Sequence, residues 1–138
     1  MQLDTVMHNL WAQLRLEPAS PDARGRYALL LDGVHVNFCP VEGAEAMLVR
    51  SRLGTIDPLD SELLRELMAD NVLLPLGRGV LSLDENEAAF LSARFELADL
   101  AVPELLRSLA GFLQRAKGWQ QHLASRESAG LALAGAAA

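Results

Sequence analysis

The chain of 138 residues has few of the residues that carry metal or disulfide chemistry: one cysteine and three histidines. One cysteine cannot form an internal disulfide, and no H-x-x-x-H or H-E-x-x-H pair supports a metal site. No apolar run approaches the roughly twenty residues needed to cross a bilayer. The amino terminus carries Asp4 and His8, where a signal peptide needs a basic start and an unbroken apolar core. These absences predict a soluble protein of a reducing compartment, without metal, cofactor or membrane insertion.

Basic residues are also in the minority. Twelve Lys and Arg oppose 18 Asp and Glu, which gives a net charge of −6. Because an acidic chain without a basic block repels phosphate backbones, nucleic acid is not an expected partner. The acidic balance would suit a partner with basic residues, with charge acting mainly on the rate of encounter. The content of 51% apolar and 22% charged residues is ordinary for one globular domain.

The hydrophobic period changes along the chain and predicts its elements. Residues 3–16 have one apolar stripe at helical spacing, which the prolines and glycine of residues 17–25 end. The period then becomes two, and Asp32-Gly33 predicts a tight hairpin in which Leu31 faces Val34. The remaining predicted elements are a strand over 46–55, a helix opening at Asp57-Pro58, strands over 80–83 and 88–97, and a last helix from near Asp99 or Val102 to about Leu123.

The order α-β-β-β-α-β-β-α predicts an α+β fold with three helices and a twisted antiparallel sheet of about five strands. Residues 1–123 form the predicted domain. Residues 124–138 are rich in Ala and Gly and have few bulky side chains, so they are predicted to form a flexible tail.

The sequence offers no credible catalytic site. Cys39 and His35 share a strand face, but four strand residues at roughly 3.3 Å each keep them about 13 Å apart. Glu62 and Glu66 point away from the leucine stripe of their helix, which is typical of solvated surface. The glycines of Gly77-x-Gly79 precede a strand and lack a following Lys-Ser/Thr, so they do not form a phosphate loop. We therefore expect a protein that is not an enzyme.

The chain has more apolar side chains than one small core can bury. The second helix, the VLLPL run at residues 72–76 and the strand at 80–83 need a partner surface, which predicts a homodimer. The alternative is that these are scattered surface hydrophobes, which are normal. The predicted dimer interface consists of Leu64, Leu67, Met68, Val80 and Leu83.

Four stretches in order, YALLLDGVHVNF, AMLVRSRLG, DSELLRELMADN and GVLSLDENEAAFLSARFEL, resemble the class I type III secretion chaperones, the Tir chaperone family. The resemblance covers about residues 1–123. It implies a non-enzymatic homodimer of the bacterial cytoplasm that binds the N-terminal region of a secreted effector. The effector would be held extended and secretion-competent, ready for the secretion ATPase.

The resemblance also implies hydrophobic cargo grooves on the first helix and the first three strands. The candidate effector-binding residues are Leu10, Trp11, Leu14, Leu30 and Leu48. Trp11 is the preferred anchor, although its place on the helix stripe fits a plain core residue equally well. Two rival interpretations stay open: a regulatory or adaptor module of similar fold that does not serve secretion and, more distantly, a small enzyme.

Overall fold

The computed structural model describes residues 2–72 and 79–137, and most of the VLLPL run lies outside them. Across the described residues the predicted order of three helices and five strands is confirmed. The elements are α1 (Leu3–Leu14), β1 (Tyr27–Leu31), β2 (Val34–Pro40), β3 (Ala46–Thr55), α2 (Ser61–Val72), β4 (Val80–Leu83), β5 (Ala88–Glu96) and α3 (Val102–Ala137).

The strands form one antiparallel sheet in the order β1-β2-β3-β5-β4, so β1 and β4 are its two edges. The predicted hairpin register is confirmed, with Leu31 opposite Val34 and Tyr27 opposite Phe38. Asp32 and Gly33 have φ values of 50° and 80°, as a type I′ turn requires. Because strand side chains alternate, this register sends the apolar set of β1 and β2 to one face.

One face of the sheet is the core face. The buried side chains of all three helices pack against it. There α3 lies against β2 and β3, α2 against β4, and α1 against α3. On the opposite face, named here the open face, the side chains of the described strands are exposed or half-buried except for Ala46 and Ala88 at the strand ends, and no described helix crosses it. The fold is therefore two layers with one uncovered side.

The second helix begins later than the sequence predicts. Asp57 Oδ1 accepts a hydrogen bond from the Leu59 N–H at 2.9 Å, which makes a turn before the helix. Asp60 is the N-cap residue, because its Oδ1 accepts from the Leu63 N–H at 3.1 Å. The predicted start at Asp57-Pro58 is wrong because the second aspartate forms the cap.

The last helix ends later than predicted. It continues past Leu123 to Ala137, so the predicted end was wrong. Residues 127–137 include five Ala, two Leu and one Glu, which favour helix, and two Gly, which do not. Small side chains reduce the packing that this segment can make, but they do not prevent it from forming a helix. The division of the chain into a domain at 1–123 and a flexible tail stays a prediction.

Candidate functional site

The edge strand β1 has unpaired backbone groups. In a hairpin closed by a two-residue turn, Leu31 and Val34 form the first hydrogen-bonded pair, and pairs then alternate. The N–H and C=O groups of Ala28 and Leu30 therefore point away from β2. Within residues 2–72 and 79–137, no backbone or side-chain group is hydrogen-bonded to them. This edge can accept another strand.

A groove of leucine side chains lies beside this edge. It has a volume of about 310 Å³ and is formed by the end of α1, by β1 and by the first turns of α3. Its lining residues are Leu14, Leu16, Leu30, Leu31, Asp32, Leu106, Leu109, Ala110 and Leu113. Leu14 is 39% exposed and Leu30 60% exposed, so the groove is open to solvent. An extended segment on the edge could place alternate side chains here.

The structure brings only two of the five predicted cargo residues to this groove, Leu14 and Leu30. Leu10 and Trp11 are core residues with 0% and 3% exposure, which corrects the expectation that they line an open surface. They lie on the stripe of α1 that faces the sheet, whereas Leu14 is at the end of the helix. Leu48 is half-buried on the open face opposite Cys39, outside the groove. A cargo contact through Leu14, Leu30 and Leu48 stays a prediction.

A partly buried side-chain contact joins the start of β1 to α1. The Tyr27 hydroxyl donates a hydrogen bond to the Asp4 carboxylate. Burial, followed by the effect of this carboxylate, raises the pKa of Tyr27 to about 12. The Trp11 ring packs edge-on against Tyr27, with ring centroids 5.5 Å apart. The strand is thus held without any use of its outward backbone groups.

The other edge strand, β4, is closed at Leu81. The Asn71 Nδ2 donates to the Leu81 carbonyl at 2.8 Å, and the Leu81 N–H donates to Asn71 Oδ1 at 2.7 Å. The amide of Asn71, near the end of α2, thereby imitates one residue of a neighbouring strand. The sequence analysis missed this contact because Asn71 has no local pattern that indicates a partner ten residues away.

The predicted dimer residues divide into buried and exposed sets. Leu67 is a core residue with 6% exposure, which corrects its assignment to an open surface, and Leu64 is half-buried against the core. Met68 at 67%, Val80 at 60% and Leu83 at 42% are exposed, together with Leu59 at 88%. The exposed set gives α2 and β4 an apolar surface, and its contact with a second copy stays a prediction.

A series of polar contacts joins α2 to α3. The Asp70 carboxylate accepts from Trp119 Nε1 at 2.6 Å and from Arg115 Nη2 at 3.1 Å. Two further pairs follow along the helices, His122 with Glu66 at 2.5 Å and Arg126 with Asp60 at 2.8 Å. The Arg126 guanidinium lowers the pKa of Asp60.

These contacts differ from the sequence-based interpretation of Glu66 as solvated surface. The spacing of three and four along α3 from Arg115 through Trp119 and His122 to Arg126 was the available signal. The contacts fix the position of α2 and of the apolar side chains that it exposes.

The model of the Tir chaperone protein (CesT) family matches residues 5–120. The chain belongs to the Tir chaperone protein (CesT) family. Among curated proteins no sequence match is found.

Three solved complexes each contain a chain with the same fold as this protein. The structure of the ExsC–ExsE complex has a TM-score of 0.72, at 24% identity over 88% of this chain and 96% of that chain. The HopA1–SchA chaperone–effector complex has a TM-score of 0.71, at 21% identity over 86% and 92%. The Yersinia pestis type III secretion chaperone SycH, in complex with a fragment of YscM2, has a TM-score of 0.68, at 18% identity over 83% and 97%. At these identities the likeness shows the α+β chaperone fold.

The residues that the structure describes have few features of a metal site, a nucleophilic thiol or a membrane span. Among residues 2–72 and 79–137, no group of three His, Cys, Asp or Glu side chains is placed to hold a metal ion. Cys39 is half-buried, and burial raises the pKa of its thiol, which disfavours the nucleophilic thiolate. None of the described helices is both long and apolar enough to span a membrane.

Proposed function

We propose that the chain is a non-enzymatic type III secretion chaperone that binds the N-terminal region of a secreted effector and keeps it extended and competent for secretion. Membership of the Tir chaperone family supports the role. The observation that carries it is the open edge of β1 beside the leucine groove. An extended chain needs backbone partners and pockets for alternate side chains, and this edge offers both.

In the proposed complex, a cargo strand pairs with the outward groups of Ala28 and Leu30. Each backbone hydrogen bond contributes about 1 kcal/mol net, so pairing alone gives weak binding. The cargo side chains on one face of that strand then enter the groove formed by Leu14, Leu106 and Leu113, and burial of their apolar area adds the larger part of the affinity. A cargo segment that is paired and buried in this way is held extended.

We further propose that the chaperone acts as a homodimer in the bacterial cytoplasm and delivers its cargo to the secretion ATPase. The exposed side chains Leu59, Met68, Val80 and Leu83 support self-association through α2 and β4. Two grooves in one dimer would bind two parts of one cargo chain, which raises the effective concentration of the second contact. Analytical ultracentrifugation tests this directly, because a Met68→Glu, Val80→Glu variant should sediment as a monomer while its fold is retained.

The experiment that tests cargo binding is co-expression with the N-terminal segment of the protein encoded by the neighbouring gene, followed by a pull-down. The Leu14→Glu, Leu30→Glu variant should lose capture, because it places two carboxylates in an apolar groove. Ala12→Glu, Gln13→Glu, at two exposed positions of α1, is the control of equal added charge and should capture cargo as the wild type does. Equal capture by the groove variant, with circular dichroism unchanged, would contradict the proposed site. Binding of a folded partner only would favour a regulatory adaptor.

A further inference from the structure

The open face of the sheet carries a cluster of cations in a protein of net charge −6. Arg50 and Arg52 lie two residues apart on β3, so their side chains project from the same face. Arg94 on β5 lies opposite Leu48, next to this pair. All three arginines therefore belong to the central strand β3 and its inner neighbour β5, on the side that no described helix crosses.

The charges of Arg50 and Arg52 have no acidic partner in the described chain. Arg94 is paired with Glu96 at 2.9 Å. Arg50 stands over the Phe90 ring at 3.8 Å from its centroid, which orients the guanidinium but does not neutralise it. Among residues 2–72 and 79–137, neither Arg50 nor Arg52 has a carboxylate within ion-pair distance. Two cations on one strand face without acidic partners among the described residues leave positive charge available to an anionic ligand.

We propose that the open face binds an acidic peptide segment whose carboxylates pair with Arg50 and Arg52. The proposal rests on the proposed function, because the segment would belong to the same secreted partner that occupies the β1 edge. Carboxylates at positions i and i+2 of an extended segment have about the same spacing as arginines at i and i+2 of β3, roughly 6.6 Å. Guanidinium groups bind carboxylates through two parallel hydrogen bonds, which gives geometric specificity.

The surroundings of the two arginines favour a peptide over a nucleic acid. Phe90 and Leu48 lie on the same face and offer apolar contacts beside the charges. The net charge of −6 repels a long polyanion, whereas a short segment meets mainly the local cations. The net charge predicts a partner with basic residues, but at this face the nearby arginines favour an acidic segment. Charge at the contact is set by the neighbouring side chains.

The test selects binders from a phage-displayed library of random dodecapeptides, with immobilised full-length protein. Wild type should enrich peptides rich in Asp and Glu, and the Arg50→Gln, Arg52→Gln variant should lose that enrichment. The charge-reversed Arg50→Glu, Arg52→Glu variant should enrich Lys and Arg instead. The Arg65→Glu, Arg107→Glu variant is the matched control, because it changes the net charge equally at two exposed helix positions. Circular dichroism checks that each variant is folded.

Affinities of individual peptides complete the test. An enriched acidic peptide should bind the Arg50→Gln, Arg52→Gln variant about tenfold or more weakly than wild type, and its affinity should fall with salt. If the selected peptides have the same charge composition on wild type and on the reversed variant, this inference is overturned and the proposed function is untouched. If wild type enriches no acidic peptide, this inference is overturned, and the pull-down with the neighbouring gene's N-terminal segment decides the proposed function separately. Tighter binding of a single-stranded oligonucleotide, with the same dependence on the two arginines, would overturn the assignment to a peptide.

Discussion

The two edge strands of the sheet are fastened to helices in opposite ways. At β4, the side chain of Asn71 occupies both backbone groups of Leu81. At β1, a strand side chain makes the contact, because the Tyr27 hydroxyl donates to Asp4 and the outward backbone of Ala28 and Leu30 is left unpaired. One edge is closed through its backbone and the other is held while its backbone stays available.

This difference predicts strand addition at one edge of the sheet without unlimited association at the other. An exposed edge is a template for any extended chain, and soluble proteins usually cover or interrupt such edges. Here Asn71 interrupts β4 at its centre, whereas β1 stays open beside the groove that contains Leu14 and Leu30. Strand addition is therefore expected at β1, and apolar side-chain contact at β4.

The largest expected effect is the loss of stability when the core beneath β1, as opposed to the groove beside it, is disrupted. Trp11→Ala should lower the free energy of unfolding by about 3–5 kcal/mol, because it leaves a large cavity against Tyr27. Trp11→Phe is the control. It keeps most of the volume and removes an indole N–H that has no partner in the described structure, so its cost should be smaller. Urea denaturation measures both, and equal stability of wild type and Trp11→Ala would contradict the core assignment.

Opening the closed edge should have the next largest effect. Asn71→Ala leaves the Leu81 N–H and C=O without their partner, which should cost about 1–3 kcal/mol. It should also produce self-association that increases with protein concentration, measured by light scattering. Asn71→Asp keeps the acceptor for the N–H and loses the donor, so an intermediate effect is expected. An Asn71→Ala variant with unchanged stability and size distribution would show that the amide does not protect this edge.

Closing the open edge should affect cargo and not stability. Ala28→Pro removes an N–H that points away from β2, so no ladder bond is lost. The loss of one backbone hydrogen bond of about 1 kcal/mol predicts cargo capture weakened roughly fivefold, with Tm nearly unchanged. Leu29→Pro is the contrasting variant, because the Leu29 N–H faces β2 and its loss should unfold the hairpin. Full capture by a folded Ala28→Pro variant would exclude strand addition at this position.

The sequence predicted the elements with local signals and missed the contacts between distant elements. Alternating apolar residues and Asp32-Gly33 were sufficient for the hairpin register, which depends on neighbours in the chain. The contacts of Asn71 with Leu81 and of Tyr27 with Asp4 join separate elements, and no local spacing indicates them. The same limit explains the assignment of Leu67 to an interface: a helix stripe shows which residues are apolar but not which of them meet the core and which meet solvent.

The smallest expected effect is on the titration of Tyr27, which reports on the hydrogen bond that joins β1 to Asp4 of α1. Its pKa of about 12 lies above the ordinary value of 10, so the neutral hydroxyl contributes stability that is complete below pH 10. That contribution should be lost as the pH rises from 10 through 12. Tyr27 is the only tyrosine, so the near-ultraviolet absorbance of tyrosinate measures it directly. Asp4→Asn should lower the pKa while leaving it above 10, since burial is the larger cause. Asn71→Ala, at the other edge, should leave the pKa of Tyr27 unchanged. A shifted pKa in that variant would mean that the Tyr27–Asp4 and Asn71–Leu81 contacts are coupled.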